Sequence, residues 1–244
     1  MKHFALIGTS LKHSYSKEYF DAQHFADADY ALCEMPSLDR RWLRECRLDG
    51  FNVTSPYKQQ IISHLDDLST EAEAIGAVNC VVVRDGHLIG HNTDAPAFRQ
   101  TLQSFLQSTN QAITQSFILG TGGAARAVAF ALGQLDIPHT FVSRHPEQHP
   151  DSIGYAQLTQ AIKQSHNHTI IINATPAGLP ITPPSLTQAI KQSSNQAIFV
   201  YDLNYNPSPT PLMDWAGKMG AHTCDGLAML HLQAQLSYRL WGLL

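Results

Sequence analysis

The sequence predicts an α/β fold built from two α/β units. Short β-rich apolar runs alternate with stretches of helical periodicity along nearly the whole chain. A glycine turn, LGTGGAARA at 119–127, stands between a buried apolar run and a helix. The length, 244 residues, amounts to between one and two domains at about 150 residues each, enough for a real core.

The first unit runs to about residue 94. Residues 3–7 read as a strand and 15–25 as a helix. Residues 30–35 read as a second strand, and Pro36-Ser37 opens a helix to about 46. Residues 50–54 form a short strand, and Pro56, which has no N–H to satisfy, fits the first turn of the next helix. The run 77–83 is β-rich, Asp85-Gly86 is a hairpin turn, and 87–90 is the return strand. That hairpin places an antiparallel pair in an otherwise parallel sheet. A helix to about 107 and a Gln-rich linker follow Asp94.

The second unit opens with a strand at 117–120, the glycine turn and a helix to about 135. Pro138 opens a strand to Val142. A helix near 155–165, a strand at 169–173, a Pro-rich loop and a strand at 197–202 come next. The end, 226–243, is apolar at helical spacing and on pattern alone belongs to either unit. The predicted segments are therefore 1–94, 95–224 and 225–244.

Composition narrows the function classes. An apolar content of 43% excludes a disordered chain. The net charge of −4, with pI near 6.3, argues against a nucleic-acid or anionic-membrane binder, which needs a basic face. Cys33, Cys46, Cys80 and Cys224 lie far apart with no CxxC, so neither a zinc ribbon nor a disulfide framework is supported, and reduced thiols are the plain reading. The start, MKHFALIGTS, has too short an apolar run for a signal peptide. No stretch approaches the roughly 18 apolar residues that a membrane span requires. His166 and His168 stand in a polar stretch without acidic or cysteine partners at ligand spacing, so no metal is expected. A soluble, cytoplasmic, metabolic-type protein without nucleic-acid or membrane partners is the expectation.

Gly120, Gly122 and Ala125 fit the G-x-G-x-x-G/A pattern of a Rossmann-like, doubly wound dinucleotide-binding unit. The three positions serve a tight turn, close backbone approach to a pyrophosphate, and close helix–strand packing. The helix N-terminus adds amide hydrogens and the positive end of its dipole. A tight βα turn that binds nothing satisfies the same three positions. An NAD site usually carries Asp or Glu about 20 residues past the glycines, whereas Ser143 and Arg144 stand there here, with no acid before Glu147. A guanidinium pairs with a 2′-phosphate that a carboxylate repels, so the pocket reads as NADP, with a solvated surface arginine as the alternative. Asn173, Thr175 and the following Pro176-Ala177-Gly178 occupy the third βα loop, which borders the nicotinamide side.

Polar residues also gather at strand ends of the first unit: Ser10, Ser14 and Ser16 in GTSLKHSYS, Thr54 and Lys58 in GFNVTSPYK, Asn79 in IGAVN, and Asn92 and Asp94 in GHNTD. Hydroxyls and amides at such loops suit a polyhydroxylated anionic small molecule. Singly, Lys58 reads as a surface lysine and Asp94 as a helix N-cap.

Together these motifs resemble the shikimate dehydrogenase family over nearly the whole chain. GTSLKHSYS is similar to its G-x-P-[IL]-x-H-S-x-S, with Ser10 in place of proline. Residues 52–58 match N-V-T-x-P-x-K, and 75–80 match I-G-A-V-N-T with Cys80 in place of threonine. GHNTD matches G-x-N-T-D, and GTGGA stands for the family's usual GAGGA. Residues 200–212 resemble D-x-x-Y-x-P-x-x-T-P-L, and 225–233 resemble G-x-x-M-L-x-x-Q.

The resemblance implies NADP-linked, reversible reduction of 3-dehydroshikimate to shikimate, in aromatic amino-acid biosynthesis. It implies Lys58 and Asp94 as the catalytic pair, and Ser14 and Ser16 on the substrate carboxylate. Asn79, Asp94 and Gln233 hold ring hydroxyls, with Thr54 and Tyr205 completing the pocket. Gly120, Gly122 and Gly123 cradle the pyrophosphate, and Thr121, Ala124, Ser143, Arg144, Asn173, Thr175 and Gly226 belong to the same cofactor site. The chain then comprises a substrate domain, an NADP-binding domain, and a terminal helix that returns to the first, in a monomer or homodimer. The family's N-R-T is Ser143-Arg144-His145 here, which keeps only the arginine. A quinate/shikimate dehydrogenase is the nearest alternative, disfavoured by having both serines. A catalytically silent NADP-binding regulator is the other, disfavoured by the joint presence of Lys58 and Asp94.

Overall fold

The computed structural model describes residues 1–12, 14–108, 112–164, 168–176 and 198–244. The chain divides into two compact units: Met1–Ala97 with Leu230–Leu244, and Phe98–Met229.

In the first unit the described strands are β1 (Lys2–Gly8), β2 (Ala28–Glu34), β3 (Gly50–Val53), β4 (Asp67–Leu68), β5 (Cys80–Arg84) and β6 (His87–His91), in the sheet order β2-β1-β3-β5-β6-β4. β5 runs antiparallel to both β3 and β6, whereas the other neighbouring pairs are parallel. The turn that reverses it is Asp85-Gly86, at φ 51° and 79°. Two positive φ values suit a two-residue hairpin whose twist matches its strands, and glycine and aspartate tolerate that region.

The apolar run of β1 is continuous because both faces of the sheet are covered. Ala5 and Ile7 join Leu43, Phe51, Val53 and Tyr57 on one side. Phe4 and Leu6 join Phe20, Tyr30, Ala234, Tyr238 and Trp241 on the other. The last three come from the terminal helix Leu227–Leu240 and the turn after it. Trp241 stacks on Phe4 with ring centroids 4.5 Å apart, and its indole N–H donates to Val81 O at 3.0 Å.

In the second unit β7 (Gln115–Leu119), β8 (His139–Ser143), β9 (Ser152–Gly154), β10 (Thr169–Asn173), β11 (Ile198–Asp202) and β12 (His222–Asp225) form a parallel sheet in the order β9-β8-β7-β10-β11-β12. Counted within the unit this is 3-2-1-4-5-6, the doubly wound arrangement, with its switch point between β7 and β10. Phe117, Leu119, Val142, Ile171 and Val200 pack with Leu158, Ile162, Leu212 and Ala216 as its core. No helix of the described residues is long and apolar enough to cross a membrane.

Several element bounds differ from the sequence expectation. The helix expected over 15–25 spans Ser16–Asp21, and the chain turns at His24, φ 53°, to enter β2. The helix expected from Pro36-Ser37 starts at Arg40, because the Asp39 carboxylate accepts from Arg41 N and Trp42 N at 2.8 and 3.2 Å. Pro56 precedes the helix Tyr57–Gln60 as its cap rather than sitting in the first turn. The β-rich run 77–83 becomes a strand only from Cys80. Sequence periodicity missed β4, β9, β12 and the helices Thr70–Ile75 and Pro211–Gly217. All are short, yet both helices carry a legible start: Ser69 Oγ accepts from Ala72 N, and Thr210 Oγ1 accepts from Met213 N ahead of Pro211.

The terminal helix has its place only because position 50 lacks a side chain. A Cβ on Gly50 would collide with the Trp241 indole nitrogen and lie 2.9 Å from Val81 O. Gly50→Ala is therefore expected to cost about 1–3 kcal/mol, the scale of overpacking a filled core. A lower urea midpoint with altered indole fluorescence checks it; an unchanged midpoint means that Trp241 yields freely.

Candidate active site

The reversed strand gathers the polar cluster of the first unit. β3 delivers Lys58 on the short helix Tyr57–Gln60 just past its end. β6 runs the same way and delivers Asn92, Thr93 and Asp94 past its own end. β5 runs the other way, so Asn79, immediately before it, stands at that same end.

Lys58 Nζ donates to Asp94 Oδ2 at 2.7 Å, with the two side chains 18% and 7% exposed. Asn79 Nδ2 donates to Asp94 Oδ1 at 2.9 Å and to Thr93 Oγ1 at 2.8 Å. Thr93 N donates back to Asn79 Oδ1 at 2.7 Å, which fixes the orientation of the amide. Gln233 Oε1 lies 3.3 Å from Asn79 Nδ2, and its own amide nitrogen donates to Leu230 O at 2.9 Å. Asp94 opens the helix Asp94–Gln107, where the dipole favours a carboxylate, and Asn92 Oδ1 accepts from Ala95 N at 3.1 Å. The result is an ammonium aimed by a carboxylate whose second oxygen is aimed by an amide. Such a group can donate a proton and stabilise negative charge developing on a substrate oxygen.

The cluster continues inward. Asn52 Nδ2 donates to Asn79 O at 3.1 Å and to Ser237 Oγ at 3.0 Å, and Tyr30 Oη donates to Asn52 Oδ1 at 2.8 Å. Burial raises the Cys80 thiol to about 12, the Ser237 hydroxyl partly offsets that rise, and the Asp94 charge adds to it. Cys80 is thus an inert thiol beside the pair. Burial also holds the Tyr30 phenol well above its usual value.

Ser14, Ser16 and Thr54 are half-buried beyond the ends of β1 and β3 in the same sheet. The segment carrying the serines is a turn into a helix, not the extended chain that would present both hydroxyls alike. Tyr15 is at φ −78°, ψ −1°, Ser14 N donates to Leu11 O at 2.9 Å, and Ser14 Oγ accepts from Ser16 N at 3.3 Å. Thr54 lies against Gly8, where a Cβ would come within 2.6 Å of its methyl group. Tyr205 belongs to the second unit, past the end of β11.

In the second unit the glycine turn joins β7 to the helix Gly123–Gly133. Gly120 is at φ +107°, and a Cβ there would lie 3.3 Å from Ala174 O and Thr175 Cγ2. A Cβ at Gly122 would meet nothing within 4 Å, so its backbone faces open space. Arg126 N takes the Gly122 carbonyl at 3.0 Å, which leaves the N–H groups of Gly123, Ala124 and Ala125 without an intrahelical acceptor. Ala125 is fully buried and serves the packing. An open cradle of amide donors at a helix start fits a pyrophosphate.

At the end of β8, Ser143 is buried and its Oγ accepts from His145 N at 3.0 Å, while Arg144 is exposed. Glu147 is taken by His145 Nδ1 at 3.2 Å, so it does not occupy the strand-end acid position of an NAD site. Asn173 Oδ1 accepts from Thr175 N and Oγ1 at 3.0 and 2.6 Å. Sequence reasoning missed the organiser of this loop, Asp202. Its buried carboxylate accepts from Asn173 Nδ2 at 2.8 Å, Asn204 N at 3.0 Å, Asn204 Nδ2 at 2.9 Å and Thr210 Oγ1 at 2.7 Å. An acid closing the apolar run of β11 was the available signal. Gly226 N donates to Asn204 O at 3.2 Å. Of the third loop, Ala177 and Gly178 lie outside the described residues, as does His166. Among the described residues no group of three side chains is arranged to hold a metal ion.

A doubly wound parallel sheet with an open glycine cradle, in one chain with a mixed sheet carrying a lysine–carboxylate pair, defines a two-unit α/β protein of the dinucleotide-binding class. Residues 6–81 match the family model described as the shikimate dehydrogenase substrate binding domain. A shikimate dehydrogenase (NADP(+)) of Caldanaerobacter subterraneus subsp. tengcongensis is 31% identical, over 98% of this chain and 91% of that protein. The structure of shikimate 5-dehydrogenase from Thermus thermophilus in complex with NADP(H) and shikimate superposes with a TM-score of 0.81, at 29% identity, over 99% of this chain and 93% of that one. Quinate dehydrogenase from Corynebacterium glutamicum in complex with NAD gives 0.79 at 26% identity, over 98% and 93%. The chain belongs to the shikimate dehydrogenase family.

Gly226 is where the nucleotide unit leaves no room. A Cβ there would overlap the Leu203 carbonyl oxygen and lie 2.6 Å from its carbon, and backbone cannot rotate aside as a side chain can. Gly226→Ala is expected to destabilise the protein by about 2 kcal/mol or more through overpacking. Thermal unfolding of the purified variant measures it, and a wild-type Tm contradicts the packing.

Proposed function

We propose that this chain is an NADP-dependent shikimate dehydrogenase, which reversibly reduces 3-dehydroshikimate to shikimate in aromatic amino-acid (chorismate) biosynthesis. The observation that carries the reading is the Lys58–Asp94 ion pair at 2.7 Å, braced by Asn79, in the unit whose sequence matches the family's substrate-binding model. NADPH supplies the hydride and the nicotinamide chemistry. As the ketone is reduced, its oxygen gains negative charge and needs a proton. Lys58 donates that proton, and its charge stabilises the oxygen before transfer. Asp94 aims Lys58 and, with Asn79 and Gln233, takes ring hydroxyls. Ser14 and Ser16 bind the carboxylate, and Thr54 completes the substrate site.

Gly120, Gly122 and Gly123 cradle the pyrophosphate, Thr121 and Ala124 complete the cofactor turn, and Ser143 and Arg144 take the 2′-phosphate. Asn173, Thr175 and Gly226 shape the nicotinamide side. The ion pair argues against a silent NADP-binding regulator, which has no use for it. The net charge of −4 and the free cysteines fit a cytoplasmic enzyme of small molecules, monomeric or homodimeric, with no nucleic-acid or membrane partner. The likeness to an NAD-bound quinate dehydrogenase keeps a quinate/shikimate enzyme as the second reading.

Lys58→Ala is expected to lower kcat by roughly 10²-fold or more and change KM much less, since it acts mainly on the transition state. A folded variant with near-normal kcat removes Lys58 from the chemistry. Arg144→Ala is expected to weaken NADP by about 1–3 kcal/mol, the scale of a charge-assisted contact, and to leave NAD nearly unchanged. Equal losses in titrations with both nucleotides show that Arg144 does not read the 2′-phosphate. Rates with shikimate and quinate, each with NADP and NAD, are expected to favour shikimate with NADP by at least about tenfold in kcat/KM. Parity between the two acids promotes the second reading.

A further inference from the structure

We propose that Thr121 and His149 form a two-residue element that reads the 2′-phosphate of NADP. In it the Thr121 hydroxyl makes the contact, and His149 orients that hydroxyl. The inference rests on the NADP reading above and adds to it two side chains that the family's motifs do not specify.

In a doubly wound fold the adenosine ribose lies between the glycine turn and the end of the second strand. Here a side-chain contact links the glycine turn to the loop that follows that strand: Thr121 Oγ1 lies 3.1 Å from His149 Nε2. Thr121 stands at one of this chain's departures from the family pattern, and His149 lies four residues after another. Thr121 replaces the alanine of GAGGA, and the altered Ser143-Arg144-His145 opens the loop that ends in His149. Of the two replaced positions, Ser143 keeps a hydroxyl hydrogen to donate and His145 is paired with a carboxylate. Ser143 is buried with its oxygen on His145 N, and the His145 ring holds Glu147 at 3.2 Å. That leaves Arg144 as one exposed cation for a phosphomonoester that carries close to two charges. With Nε2–H donating to Thr121 Oγ1, the hydroxyl hydrogen is left for a phosphate oxygen. His149 is itself fixed from behind, its carbonyl accepting from Ser152 N at 2.9 Å and Ser152 Oγ at 2.7 Å. The other ionisable side chains of the surrounding segments are Arg144, His145, Glu147 and Asp151 on its own loop, Arg126 on the helix after the glycine turn, and Tyr155 on the next helix.

Equilibrium titrations of the purified full chain decide the matter, with 2′,5′-ADP and 5′-AMP as probes that differ only in the 2′-phosphate, and NADP and NAD beside them. Thr121→Ala and His149→Ala are each expected to weaken 2′,5′-ADP and NADP by about three- to tenfold, leaving 5′-AMP and NAD within about twofold. Thr121→Ser is expected to keep wild-type binding. The double variant is expected to lose little more than either single one, because the two act as a unit. Unchanged 2′,5′-ADP binding in both alanine variants overturns the proposal, as does equal weakening of 5′-AMP. Shikimate oxidation by the unmodified protein is a separate measurement, so the proposed function and this inference can fail independently.

Discussion

The direction of β5 is the constraint on which the polar cluster around Lys58 and Asp94 depends. In an all-parallel sheet, the residue entering one strand and the residue leaving its neighbour stand at opposite ends. For five-residue strands that is a separation of roughly 15 Å, at about 3.3 Å per residue. β5 reverses between β3 and β6, so Asn79 enters it where Lys58, Thr93 and Asp94 emerge. The reversal in turn depends on two residues, Asp85 and Gly86, that accept positive φ. A cluster of side chains 36 residues apart in sequence is thereby set within hydrogen-bond distance.

Having brought charge together in a nearly closed place, the unit must satisfy it, because an unpaired buried polar group costs about 1–3 kcal/mol. One Asp94 oxygen meets Lys58 and the other meets Asn79. The Asn79 carbonyl and side chain are both held, through Asn52 and Thr93, and Ser237 links Asn52 to the terminal helix. The terminal helix therefore contributes Gln233 to the cluster and Ser237 to its support. Its aromatic residues fill the other side of β1. Packing and site geometry are the same contacts seen from two sides.

The second unit solves a comparable problem with one carboxylate. Asp202 closes β11 and, by accepting four hydrogen bonds, ties the loops after β10 and β11 together beside the glycine turn. Gly120 N bonds Val142 O at 2.9 Å and Ala174 N bonds Leu119 O at 3.0 Å, so the turn is locked to the strands on both sides. The open backbone of the turn is thus held by groups outside it, leaving the amides at the helix start available.

The sequence by itself determined what local chemistry dictates. It specified the apolar runs of β1, β7 and β10, the Asp85-Gly86 hairpin, the glycine turn into its helix, and the absence of a strand-end acid beside Arg144. Spaced motifs also nominated Lys58, Asn79, Asp94 and Gln233. Short elements escaped, because two- to four-residue strands such as β4, β9 and β12 carry too few residues to establish a period and exist by pairing with a neighbour. The turn at Ser14–Tyr15–Ser16 escaped as well, since it depends on bonds to Leu11 and between the serines rather than on residue type. Only the tertiary structure decided which atoms meet: the Asp94 oxygens shared between Lys58 and Asn79, the four donors on Asp202, and the Thr121–His149 contact. The physical reason is range. Periodicity and turn chemistry act over a few residues, whereas hydrogen bonds across 36 or 154 positions exist only after the sheet has chosen its strand order and direction.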